Sequence, residues 1–178
     1  MPRLDATSAR CEIFTLKEGL LSRVAHDLRI AVDRFTVELS DDRQSVTASF
    51  EPQSLRVVTA VVNGKDSPGA LSSSDRAKIE ETLQNDVLET RRFPEIRFRS
   101  SEIRPTDRGY HLQGELKLHG VSRRLSAEVL RETTPEGREK LSFEVSLHQP
   151  DFGIKPYTAA FGTLRVQADL RVSMSATL

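Results

Sequence analysis

Apolar and polar residues alternate with a period of two in segment after segment of this chain. That pattern restricts it to β-sheets with one greasy face and one wet face. Over residues 110–118, Tyr110, Leu112, Gly114, Leu116 and Leu118 fall on one side, and His111, Gln113, Glu115 and Lys117 on the other. The same rhythm places Val121, Leu125, Ala127 and Val129 together, then Leu141, Phe143, Val145 and Leu147. It runs longest at the C-terminal end, through Leu164, Val166, Ala168, Leu170, Val172 and Met174, and it appears earlier in Ile96 and Phe98. A first strand is predicted near Cys11 to Leu16. Between Val32 and Phe35 the apolar frame slips by one residue, so a β-bulge is expected near Asp33 and Arg34.

One stretch breaks the rhythm. From Ser74 to Glu89 helix formers dominate, Ile79 and Leu83 lie four apart, and Ser74 or Asp75 suits an N-cap. Arg91 and Arg92 follow the helix end, and Pro94 excludes further helix. A single apolar stripe means that this helix packs on the sheet or plugs it. Residues 59–73, rich in Gly, Ser and Asn, read as the main loop. Turns are expected at Asp41-Asp42, Asn63-Gly64, 106–109, His119-Gly120 and 134–137. About eight alternating strands predict a mainly all-β chain closed into an antiparallel barrel, with one α-helix on the sheet or plugging it. It forms a single domain over 1–178 with a core at about 11–176. Closure removes unpaired sheet edges, and eight strands enclose either a filled core or room for one small ligand.

Composition narrows the function. With 26 basic and 26 acidic side chains there is no cationic excess of the kind that phosphate neutralisation needs, so nucleic acid is not an expected partner. A single cysteine, Cys11, forbids an internal disulfide and fits a reducing compartment. The opening residues carry Arg3, Asp5, Arg10 and Glu12 with no apolar run of signal-peptide length, and no stretch has the length of a membrane span. A cytoplasmic protein without a transmembrane segment is the expectation.

The candidate lumen residues are Ile96, Phe98, Leu112, Gly114, Leu116, Leu125, Ala127, Phe143, Val145, Leu164, Val166 and Ala168. Two readings remain open for them: a channel or a dry, filled core. Small residues at Ala48, Ser100, Gly114, Ala127 and Ala168, with no Trp anywhere, leave internal space. Phe152, Tyr157 and Phe161 are candidates for the mouth. His26-Asp27 reads either as a structural turn pair or as a polar contact from His26 to a ligand head group, because neighbours in a strand face opposite sides. Enzymatic use of His26 has no accompanying signature. No metal site is expected: His111, His119 and His148 are scattered, and His111 and His148 fall on the outer face. Cys11 reads as a buried small residue rather than a nucleophile. Asp151-Phe152-Gly153 lacks the Gly-rich and catalytic-loop motifs of a kinase and reads as a turn before the last strand pair. Arg97, Arg99, Arg123 and Arg124 read as a solvated face paired with Glu residues.

Four fragments in order resemble the YceI-like family of lipocalin-like, polyisoprenoid-binding proteins. They are Val24-Ala25-His26-Asp27, residues 85–98 around Phe93-Pro94, residues 110–122 around Gly114 and Gly120-Val121, and Asp151-Phe152-Gly153-Ile154. The resemblance implies an eight-stranded barrel with a helix beside it, often a homodimer. Its lumen would hold an isoprenoid, quinone-like or other long-chain lipid without a cofactor or catalytic residue. Typical members are secreted, a departure from the compartment read off the N-terminus. The alternative expectation is a filled barrel acting as a protein-interaction or stress-related module.

Overall fold

The computed structural model describes residues 3–18 and 26–178. Val24 and Ala25 of the first resemblance fragment lie outside the described residues. The strands are β1 (Arg3–Leu4), β2 (Ala9–Glu18), β3 (Asp27–Val32), β4 (Phe35–Leu39), β5 (Val46–Phe50), β6 (Leu55–Val62) and β7 (Lys65–Ser67). After helix α1 (Ser73–Thr82) come β8 (Ile96–Thr106), β9 (Gly109–Leu118), β10 (Val121–Thr133), β11 (Glu139–His148), β12 (Thr158–Ala159) and β13 (Leu164–Thr177). The hydrogen-bonded order is β1-β4-β5-β8-β9-β10-β11-β13-β2-β3-β6-β7, with β12 against β13 and every pairing antiparallel.

Thirteen segments stand where eight strands are expected because three long strands are interrupted and two short segments, β7 and β12, are added. β1 runs into β2 through the bend at 5–8, β3 into β4 at Asp33-Arg34, and β5 into β6 through the 3-10 turn Pro52–Ser54. Bonds from Asp33 N–H to Ser54 O (3.2 Å) and from Glu51 N–H to Arg34 O (3.0 Å) carry the ladder across the break. The interrupted strands therefore reach both ends of the hydrogen-bonded path and curl the sheet on itself. Merged in this way, they and β8, β9, β10, β11 and β13 are eight long antiparallel strands, an all-β lipocalin-like fold. The slip predicted at Asp33-Arg34 is the β3–β4 interruption. The ladder itself shifts earlier, between Arg29 and Ile30, where β6 carries the extra residue.

Ladder closure is not complete around the wall, which corrects the expectation of a sheet without free edges. β5 pairs with β8, but beyond the kink β6 diverges from β8 and bonds only to β3 and β7 among the described residues. Helix α1 covers that edge. Glu80 Oε1 accepts the N–H of Val57 at 2.8 Å, standing in for the missing strand. Val57 is 1% exposed, so its N–H has no access to water and needs this partner.

The helix begins earlier than predicted. Ser72 is the N-cap, with a capping box in which Ser72 and Asp75 bond each other's backbone N–H groups. Ser74 lies inside the helix, and Asp75 is its third residue. After Thr82 the chain continues as a π-helical turn, Leu83–Val87. This turn swings Leu83, Val87 and Leu88 onto two apolar clusters, one around Ile30, Val32, Leu55 and Val57 and one around Leu116, Phe152 and Ile154. The predicted loop at 59–73 is instead the end of β6, a tight turn at Asn63-Gly64 with both φ angles positive (51° and 76°), and β7. Two alternating strands joined by Asn-Gly are a hairpin, and the Gly, Ser and Asn content obscured it.

Candidate functional site

The inward faces of the strands enclose a cavity of about 550 Å³, within the roughly 300–1,000 Å³ range of small-ligand pockets. Period-two geometry supplies its wall: along β8–β11 each lining residue is followed by an outward polar one. β8 contributes Ile96 and Phe98, β9 Leu112 and Leu116, β10 Leu125 and Ala127, β11 Phe143 and Val145, and β13 Leu164 and Val166. Phe152 and His26 also line it. Phe152 is almost wholly buried on the 3-10 turn Gln149–Phe152, whose end is capped by Gly153 at φ 67°.

Two of the predicted residues are not in the lining. A Cβ on Gly114 would lie 2.5 Å from the ring of Phe98 and 2.4 Å from the Arg99 carbonyl. The glycine lets the Phe98 ring lie flat over the β9 backbone, so the ring meets the cavity in its place. Ala168 falls in an irregularity of β13: Val166 pairs with Lys17 but Leu170 pairs with Thr15, leaving 167–169 opposite Leu16 alone. The inward alternation is interrupted there and resumes in the same frame at Leu170. The carbonyl of Gln167 turns to accept a 2.9 Å bond from Gln149 Nε2.

The lining also includes residues that the alternation in β8–β13 does not point to. Cys11, Ile13, Thr15 and Lys17 alternate inward along β2, and Leu28, Ile30 and Val32 along β3; both runs carry the period-two signal. Ile79, Leu83 and Val87 come from the helical segment, and their i, i+4, i+8 spacing was the available clue. Cys11 is buried, and desolvation pushes its thiol up to about 12, consistent with a packing role rather than a nucleophile.

Polar groups gather at one end of the lumen, where β2 ends and β3 and β13 begin. Lys17, His26, Tyr157 and Arg165 border the cavity there, while Lys78 and Thr82 face it from α1. Asp27 does structural work: its Oδ1 accepts the Lys17 N–H at 2.8 Å. Arg165 lies 3.6 Å from Glu18. Phe161, expected at the mouth lining, instead points away from the cavity and is fully exposed. The three remaining histidines pair with carboxylates away from the cavity: His111 with Glu128 (2.5 Å) and His148 with Asp169 (2.6 Å) on the outer face, and the largely buried His119 with Glu89 (3.1 Å). Arg97 is on the solvated face and pairs with Glu95 at 2.7 Å. No cluster of metal-binding side chains occurs among the described residues, and none of their helices is long and apolar enough to cross a membrane.

Segments far apart in sequence converge at this same end. The ring of Phe93 packs at a tilt against His119, with centroids 4.2 Å apart, and would collide with any Cβ on Gly120, 2.7 Å away. Ile154 and Phe152 pack with Val121, Leu118 and Val87. The Phe-Pro, Gly-Val and Asp-Phe-Gly-Ile fragments are therefore parts of one packed junction.

Comparison with known proteins agrees with this architecture. The crystal structure of Burkholderia cenocepacia BcnA superposes with a TM-score of 0.66 at 14% identity, covering 98% of this chain and 99% of that one. A polyisoprenoid-binding domain from Saccharophagus degradans, implicated in plant cell wall breakdown, gives 0.63 at 9% identity over 96% and 94%. The Campylobacter jejuni YCEI protein gives 0.58 at 12% identity over 84% and 82%. No curated protein matches the sequence. The YceI-like domain family, however, matches residues 4–178, nearly the whole length. With the fold and the motif junction in agreement, this chain belongs to the YceI-like family.

Proposed function

We propose that the protein is a non-catalytic carrier that holds a long-chain apolar molecule, of the polyisoprenoid or quinone-like class, inside the barrel. The carrying observation is the cavity of about 550 Å³ walled by aliphatic and aromatic side chains from β2, β3 and β8–β13. A barrel filled by its own side chains, the other expectation, leaves no such volume. Burial alone supplies affinity: each methylene removed from water contributes about 0.8 kcal/mol, so ten carbons bring roughly 8 kcal/mol before ordering costs. The S. degradans relative described as polyisoprenoid-binding supports the ligand class. Lys17, His26, Tyr157 and Arg165 are the groups placed to meet a polar head at the polar end of the lumen.

Mass spectrometry of an organic extract of purified protein tests this directly. A chain lipid at near-stoichiometric amount is expected, and its absence from protein purified under non-delipidating conditions counts against the reading. Ala127→Phe sharpens the test by placing a ring in the lumen, and ligand content should fall at least tenfold while the β circular-dichroism signal persists.

A further inference from the structure

Large apolar side chains are not exposed evenly over this molecule. Leu16, Val62, Tyr157, Phe161 and Leu178 are the exposed ones among the described residues. Leu178 sits at the opposite end, beside the β10–β11 hairpin, where its N–H bonds Glu139 O. The other four lie on the polar-headed rim, along the adjacent strands β13, β2, β3 and β6. The register ties them together: Val166 N–H bonds Tyr157 O, Val166 pairs with Lys17, Lys17 N–H bonds Asp27, and Asp27 pairs with Val61. Phe161 is the extreme case. It is fully exposed at the β12–β13 tip and held at φ 56°, ψ 35°, a left-handed conformation that is an outlier for a bulky residue. Neither the core nor the cavity uses its ring.

Charge at this rim completes the pattern. Lys65, beside Val62 in the β6–β7 hairpin, and Lys155, two residues before Tyr157, add cations. Of the acids at this end, Glu18 pairs with Arg165, Asp27 accepts the Lys17 N–H, Asp66 pairs with Arg29 and Glu89 with His119, while Asp151 is exposed four residues before Lys155. Exposed aromatic rings flanked by lysines suit a surface that lies in the headgroup–acyl boundary of a bilayer.

We propose that this rim is a bilayer-docking surface: Phe161 and Tyr157 enter the membrane interface, Lys65 and Lys155 meet its phosphates, and the lumen exchanges its ligand directly with lipid. The inference rests on the apolar-ligand reading above. A chain held by burial does not leave readily through water, and a mouth pressed to the bilayer removes that barrier.

The chain contains no Trp, so Phe161→Trp is a unique reporter at the tip, with Leu178→Trp as its control at the opposite end. Both are mixed with vesicles of phosphatidylethanolamine and phosphatidylglycerol, with and without bromine-labelled acyl chains. A blue shift and bromine quenching confined to Phe161→Trp support docking. In vesicle co-sedimentation, Phe161→Ser should weaken binding roughly tenfold with an unchanged or higher melting temperature. No shift, or equal shifts at both ends, overturns the proposal. So does a concentration-dependent dimer, lost in Phe161→Ser, from a protein that does not bind vesicles, because a second copy would then cover the rim. Vesicle binding by a protein whose organic extract holds no lipid supports docking and sinks only the carrier reading. A lipid-filled protein that ignores vesicles sinks only docking.

Discussion

The two halves of the barrel wall are built on different terms. From β8 to β11 the strands are long, their pairings nearly unbroken, and their inward residues alternate with an outer face of cross-strand polar pairs such as Lys140–Glu132 and His111–Glu128. From β1 to β6 every strand is interrupted, and the wall is completed by a helix rather than by a neighbour. The regular half is a template whose geometry follows from local pairing. The broken half exists only because distant groups meet: Ser54 with the Arg34 N–H (2.8 Å), Glu80 with Val57, and Ile79 and Leu83 with the β3 and β6 core. Interruption is also what lets a sheet of this size turn sharply, since kinks and bulges raise local twist.

This contrast is open to attack in order of size. Gly114→Val strikes the regular half, where two neighbours leave no space. With a Cβ 2.4 Å from the Arg99 carbonyl, urea unfolding should show a loss of about 3 kcal/mol or more. A loss below about 1 kcal/mol would mean that this wall yields as easily as the other. Glu80→Ala strikes the seam. Stranding the Val57 N–H should cost about 1–3 kcal/mol, and hydrogen exchange at that amide should accelerate while amides of β9 and β10 stay protected. Glu80→Gln keeps an acceptor oxygen and should recover most of the protection.

A smaller effect lies at the start of the helix that seals the seam. Ser72→Ala removes half of the capping box and should cost about 1 kcal/mol, read from denaturant midpoints. Its pH dependence is the finest probe. The Ser72 hydroxyl and backbone N–H hold the Asp75 carboxyl below its ordinary value of 3.8. The folded-state pKa is the depressed one, so this stabilisation is complete above the unfolded value and disappears as pH falls through the folded value. The gap between wild type and Ser72→Ala should therefore narrow on acidification and stay flat on the neutral side. A gap that widens in acid would contradict the capping geometry.

The regular half was legible because a strand that buries one face must alternate, so Ile96, Phe98, Leu112, Leu116, Leu125, Phe143 and Val145 announce their direction residue by residue. Legibility failed where the backbone departs from that period. Ala168 continues the alternation in sequence and loses it at an irregularity that depends on β2 opposite. Gly114 holds an inward position and cedes the surface to Phe98. The hairpin at Asn63-Gly64 carried its turn signal, but its flanking composition suggested a loop. Cys11, Ile13 and Thr15 alternate, and they count as lumen residues only once β2 is seated between β13 and β3.

The amino-acid order by itself determined an antiparallel sheet with a greasy side, a single helix beside it and the family, because periodicity and turn chemistry are local properties of the chain. Tertiary structure alone decided that the greasy side encloses an unfilled volume, that α1 substitutes for a strand against β6, and that exposed rings and basic groups share one rim. Those facts depend on which side chains meet across tens of residues, and packing between distant segments leaves no repeat along the chain.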